Sequence, residues 1–283
     1  MFPGVTVALV TPLSDAGEVS EPAVARLVAS VRPYVSALLP ALSTGEGGAL
    51  TDEQWEVMVS ATVRHADGLP VVAGALRPTT DEVAARARAA ERLGARAVAV
   101  TTPYGPGVTQ EEMFRHYERL ARATRLPLVV YHESAVSKNA LDLTTLLRIC
   151  ALPAVAGVKD SAGSGRFTRE LVAARPGVPV LQGLEHLLLE SGPVDGFVLA
   201  LANAEPALCA ALFTDPSADR AAELTAACAR FGLERDDWYR ALKSELCRRG
   251  VLETDRTVDP GAAADTGRTA TTGSTVETGE TLS

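Results

Sequence analysis

Of the three lysines in this chain (Lys138, Lys159, Lys243), one closes an apolar run, Val155-Ala156-Gly157-Val158-Lys159-Asp160. An amine at the end of a buried strand loses hydration, which disfavours the ammonium form and leaves a nucleophile near neutral pH. Such an amine condenses with a ketone to an iminium, whose positive nitrogen stabilises a carbanion or enamine at the adjacent carbon. The plainer reading is a lysine that snorkels from a strand end or pairs with Asp160, and on these residues alone the two stand level. A second run, Val129-Val130-Tyr131-His132-Glu133-Ser134, offers a phenol. Tyr131 can relay protons if it points into a pocket, or it can be a core tyrosine with its hydroxyl satisfied. His132 and Glu133 are neighbours, so on extended backbone they face opposite sides, and at most one shares a pocket with Tyr131. A third segment, Ala41-Leu42-Ser43-Thr44-Gly45-Glu46-Gly47-Gly48, brings hydroxyl and backbone donors into a turn suited to a carboxylate.

These residues need strands to carry them. Short β-branched runs alternate with longer helical patterns, which argues for parallel strands joined by crossover helices. Strands are expected over Val5–Val10, Ala37–Leu42, Val71–Gly74, Ala97–Thr101, Leu128–Tyr131, Val155–Lys159, Val178–Gln182 and Gly196–Ala200. Helices are expected near Pro22–Val31, Asp52–Arg64, Thr80–Leu93, Gln110–Ala123, Leu143–Ile149, Phe167–Ala174 and Glu185–Leu189, with Thr51 and Thr109 as N-caps. Eight such units favour a closed (β/α)8 TIM barrel, whose catalytic groups gather where the strands end. The first strand–helix turn, Thr11-Pro12-Leu13-Ser14, has no GxGxxG, which argues against a dinucleotide fold. Three more helical segments follow, near Pro206–Phe213, Ser217–Phe231 and Arg235–Arg249. The expected organisation is a barrel over 1–214, a helical extension over 215–253 and a disordered tail over 254–283. That tail turns to Thr, Gly, Ala and acids without an aromatic, too little apolar surface to offset ordering.

Composition excludes several classes. The net charge of −8 is half supplied by the end of the chain, where six acids face two arginines, and no basic patch marks a nucleic-acid binder. No apolar run reaches the roughly 18 residues of a membrane span, and the Met1-Phe2-Pro3-Gly4 start lacks signal-peptide character, so a cytoplasmic protein is expected. Cys150, Cys209, Cys228 and Cys247 form no CxxC pair or Cys/His cluster, so buried free thiols rather than a zinc site are expected.

Taken in order, the strand ends resemble the dihydrodipicolinate synthase / N-acetylneuraminate lyase family. The resemblance spans roughly residues 4–250 and rests on Val10-Thr11-Pro12, Ser43-Thr44-Gly45-Glu46, Thr101-Thr102-Pro103-Tyr104, Tyr131, Val158-Lys159-Asp160 and the 28-residue step from Tyr131 to Lys159. It implies that Lys159 is the Schiff-base lysine and Tyr131 the proton relay. Ser43 and Thr44 would bind the carboxylate of pyruvate or another 2-oxo acid, with Thr44 also joining the relay. Tyr104, His132, Lys138 and Val198 are then expected to contact substrate. No metal or organic cofactor is implied, because the iminium is the electron sink, and a homo-oligomer (dimer or tetramer) is implied. The partners expected are a 2-oxo acid and an aldehyde or sugar-derived second substrate. Departures bear on that second substrate: Gly105 stands where lysine-pathway synthases carry a second tyrosine. Leu42 replaces the leading glycine of the second-strand motif, and no arginine lies between Arg125 and Arg148. Lys138 is the substitute point charge. These departures lead us to expect a class I aldolase or lyase other than the lysine-pathway synthase. The alternatives are a Schiff-base dehydratase using His132 or Glu133 as the extra acid or base, and a non-catalytic keto-acid-binding barrel.

Overall fold

The computed structural model describes residues 3–258. Eight parallel strands run β1 (Gly4–Ala8), β2 (Ala37–Leu39), β3 (Val72–Gly74), β4 (Ala97–Val100), β5 (Leu128–His132), β6 (Val155–Asp160), β7 (Val180–Gln182) and β8 (Gly196–Leu199). The sheet order β2-β1-β8-β7-β6-β5-β4-β3 brings β2 and β3 to its two ends, and a parallel bridge between Leu38 and Val71 closes them into a (β/α)8 barrel. Helices α1 (Glu21–Val31), α2 (Asp52–His65), α3 (Thr80–Arg92), α4 (Gln110–Ala123), α5 (Ser134–Ser137), α6 (Leu143–Cys150), α7 (Gly165–Ala173) and α8 (Pro206–Thr214) lie between or after the strands. Two more, α9 (Ala218–Phe231) and α10 (Trp238–Arg248), complete the chain's helices among the described residues. None is long and apolar enough to cross a membrane.

Local chemistry sets these boundaries. Thr51, Thr79 and Thr109 each accept from the third helical residue, and Gln54, Glu82 and Glu112 reach back to the cap, so α2, α3 and α4 all start on reciprocal capping boxes. Inward strand residues are small or slender (Ala8, Leu39, Val72, Ala97, Ala99, Val129, Leu181, Val198) and fill the barrel interior, with Tyr131 at its upper end. Outward residues pack the helical ring in two larger clusters, one under α1 and α8–α10, the other under α2–α4, α6 and α7.

Besides shifts of one to three residues at element ends and the short helix α5, the structure departs from the sequence reading in three places. The helix expected over Glu185–Leu189 shrinks to one 3-10 turn, Glu185–Leu187, because the Glu185 carboxylate is drawn inward to accept from Leu201 N at 2.9 Å. Cys150 and Cys209 are buried as expected, but Cys228 and Cys247 are only half-buried. Residues 254–258, assigned to the tail, are fixed to the body: the Val258 side chain is buried, and Lys243 Nζ donates to Arg256 O at 2.8 Å. The rest of that expected tail, 259–283, lies outside the described residues.

Candidate active site

The register of β5 on β6 pairs Tyr131 with Lys159 and His132 with Asp160. Side chains on adjacent parallel strands at the same register share a face, so the first pair points into the barrel and the second points out. Lys159 is 4% exposed, and its Nζ lies 4.1 Å from the centre of the Tyr131 ring. Burial dominates its electrostatics and lowers the amine from 10.5 to about 8, while the carboxylates of Glu185 and Glu133 oppose that shift. A cation–π contact with Tyr131 supplies part of the missing hydration. Gly183, just after β7, makes room for this lysine. A Cβ there would come within 2.6 Å of Lys159 Cε and 2.2 Å of Ser161 Oγ.

Tyr131 exchanges a 3.1 Å hydrogen bond with Ser43 Oγ. Burial raises its phenol above the ordinary value, so it holds its proton at neutral pH and is suited to pass it along a chain. Thr44, buried next to Ser43, makes no hydrogen bond to Tyr131 among the described residues. Tyr104 follows β4; burial lifts its phenol to about 12, against a smaller opposing pull from the neighbouring Thr101 hydroxyl. The hydroxyls of Thr101 and Ser161, also at strand ends, are buried beside those of Tyr104 and Tyr131. Their mutual geometry is too poor for well-formed hydrogen bonds, which leaves polar capacity at one end of the barrel for a ligand. Val198 lines the interior wall beside Tyr131 and Leu181.

Two expected contacts are not brought to the site. His132 turns outward: its Nδ1 lies 3.1 Å from Asp160 Oδ1, and its ring packs on Phe167 of α7. Asp160 Oδ2 in turn accepts from Thr168 Oγ1 at 2.6 Å, and Gln182 Nε2 donates to Thr168 Oγ1 at 3.1 Å. The histidine thus belongs to a buried network tying β5, β6 and β7 to α7. Lys138 caps α5 in a left-handed conformation with φ of 62°, is exposed, and makes no ion pair among the described residues. Glu133 accepts from the N–H groups of Ala135 and Val136, so this carboxylate serves as the N-cap of α5.

The segment after β4 is closed off by the loop after β5. Gly105 has a φ of 129°, which a tyrosine would adopt only with strain. Its N–H donates to Ser137 O at 2.8 Å, while Asn139 Nδ2 donates to Pro103 O at 2.6 Å and Gly105 O at 3.1 Å. The loop after β5 therefore occupies the backbone of the loop after β4. Sequence reasoning missed Asn139 in this role. It also missed Glu185, a buried acid whose carboxylate lies close enough to Lys159 to raise its affinity for a proton. The signal for Glu185 was available: an acid two residues beyond a strand-end glycine, read as a helix-start residue instead.

Comparison with known proteins follows the same lines. The profile of the dihydrodipicolinate synthetase family matches residues 1–276. A 4-hydroxy-tetrahydrodipicolinate synthase of Acidiphilium cryptum is 34% identical over 237 residues, covering 81% of this chain and 79% of its own. One from Sphingopyxis alaskensis is 34% identical over 247 residues, covering 86% and 79%. Among solved structures, the dihydrodipicolinate synthase of Acinetobacter baumannii complexed with pyruvate superposes with a TM-score of 0.83 at 26% identity, covering 91% of this chain and 92% of that one.

Proposed function

Because the chain belongs to the dihydrodipicolinate synthetase family and is an aldolase-type lyase, we propose that it makes or breaks a carbon–carbon bond in pyruvate or a related 2-oxo acid through an imine on Lys159. In the synthetic direction the Lys159 amine attacks the keto carbon, and loss of water gives the iminium. Removal of a proton from the neighbouring carbon gives an enamine, whose carbon attacks the carbonyl of an aldehyde or sugar-derived partner. Tyr131, bonded to Ser43, passes the protons that carbinolamine collapse and imine hydrolysis require. Ser43 and Thr44 donate to the keto-acid carboxylate, Tyr104 meets the substrate with its hydroxyl, and Val198 forms an apolar wall.

The observation that carries this reading is a nearly dry lysine whose nitrogen lies 4.1 Å from the ring of a tyrosine bonded to the candidate carboxylate loop. Borohydride added with pyruvate should leave a reduced pyruvate adduct on the peptide bearing Lys159. A folded protein that gives no such adduct with any of a panel of 2-oxo acids would overturn it. The relatives' name runs against the expectation that this chain is not the lysine-pathway synthase, so formation of 4-hydroxy-tetrahydrodipicolinate is the first acceptor reaction to assay. A second reading, a different aldehyde, is favoured by the glycine-only backbone at position 105 and by an exposed Lys138 in place of a loop arginine. Dehydration loses its supports, since His132 faces the outer layer and Glu133 is engaged as a helix cap.

A further inference from the structure

Glu46 directly follows the Ser43-Thr44-Gly45 turn, yet its side chain leaves the barrel mouth. It holds a φ of 55°, a conformation that glycine adopts freely and an L-residue does not. Its carboxylate is buried and doubly engaged. One oxygen pairs with Nζ of Lys243, a fully buried lysine of α10, and the other accepts from Val258 N at 2.6 Å. Around this pair the chain end is stitched down: Lys243 donates to Arg256 O at 2.8 Å, Ser244 Oγ to Asp255 at 2.6 Å, and the Arg256 guanidinium to Asp15 O at 2.6 Å. The Val258 side chain enters the outer core. The far half of the loop is held separately, by Arg77 and Arg86 donating to the carbonyls of Gly47 and Leu50. The near half, which carries Ser43 and Thr44, is held by Glu46, by a 2.6 Å bond from Thr11 Oγ1 to Gly45 O, by the turn's own bonds from Glu46 N to Ser43 O and Gly47 N to Leu42 O, and by the Ser43–Tyr131 bond.

We propose that Lys243 and the segment 254–258 are positioning elements for keto-acid binding, clamping the Glu46 carboxylate from behind so that Ser43 and Thr44 stay aimed at the substrate carboxylate. The proposal rests on the pyruvate reading above. Neither Lys243 nor Val258 touches substrate; both act through one turn of backbone. A buried carboxylate deprived of its ammonium seeks water, and the turn that carries it moves with it. The effect should fall on ground-state binding of the keto acid rather than on the chemistry at Lys159, since the β5–β6 pairing is untouched.

Two full-length variants test this. Val258→Pro deletes one N–H and leaves the ion pair, whereas Lys243→Met deletes the ammonium at similar length. Each should raise KM for pyruvate about tenfold with kcat within about threefold of the parent. Each should also speed amide exchange at least tenfold in residues 42–48, leaving β4 unchanged. Adding Glu46→Gln to Lys243→Met removes the unpaired charge and should recover most of the lost affinity. Should Lys243→Met not fold, Val258→Pro decides alone. Parental KM in folded variants overturns the proposal, whether or not exchange changes; a raised KM with parental exchange overturns the route through the turn. Absence of a borohydride adduct in the parent protein would count against the pyruvate reading itself, a result distinct from either.

Discussion

At the scale of single residues, Lys159 carries a cost that folding alone would not select. Its amine falls from 10.5 to about 8 on burial, so between those values the unfolded chain holds a proton that the native protein has released. Stability from this group is fully present above pH 10.5 and is lost as the pH falls through about 8, a difference of roughly 3 kcal/mol at the limit. Lys159→Met should therefore melt at a higher temperature than the parent at pH 7, with the gap closing toward pH 10; calorimetry across that range checks it. The same shift gives a kinetic signature, because only the free amine attacks. The rate of adduct formation with pyruvate should climb with pH up to about 8 and level off beyond it. Tyr131→Phe keeps the ring against Lys159 and deletes the hydroxyl on Ser43. It should lower kcat by about 10²-fold or more, as loss of a positioned proton relay does, while borohydride still traps Lys159.

At the scale of elements, the strand ends are set by polar ties on the outside of the barrel as much as by substrate groups inside it. The chain His132–Asp160–Thr168–Gln182 binds three strands and one helix into a unit, and breaking a buried polar tie costs on the order of 1–3 kcal/mol. His132→Ala should lower stability by that amount in denaturant titrations and leave KM for pyruvate unchanged. A KM shift of fivefold or more would return the histidine to the pocket. Gly183→Ala tests the opposite wall. Its methyl group must displace Lys159 Cε or Ser161 Oγ, so adduct formation should be lost although the barrel still folds.

At the scale of the molecule, one barrel presents its chemistry at a single rim; its interior forms one apolar cluster and the helical ring closes on two more. Among the described residues only Tyr34 and Leu189 are large hydrophobics left exposed, so any self-association must use a mixed surface rather than a bare apolar face. Sedimentation velocity should nonetheless give the mass of two or four chains, as the family resemblance leads us to expect. A single-chain mass across micromolar concentrations would show that the site is complete within one copy.

Much of this protein could be read from its residues in order. Apolar runs, capping threonines and strand-end lysine and tyrosine are local signals, spread over a few residues each, and they located the eight strands and put Tyr131 and Lys159 near the ends of two of them. The outward turn of His132 was half legible, since alternation separated it from Glu133 without saying which one faced the pocket; the register of β5 on β6 decided that. The anchoring of Glu46 by Val258, 212 positions away, left no trace in any window of sequence. Contacts of that reach exist only once the barrel has closed, because burial and pairing of charge depend on what surrounds a group in space rather than on what flanks it along the chain.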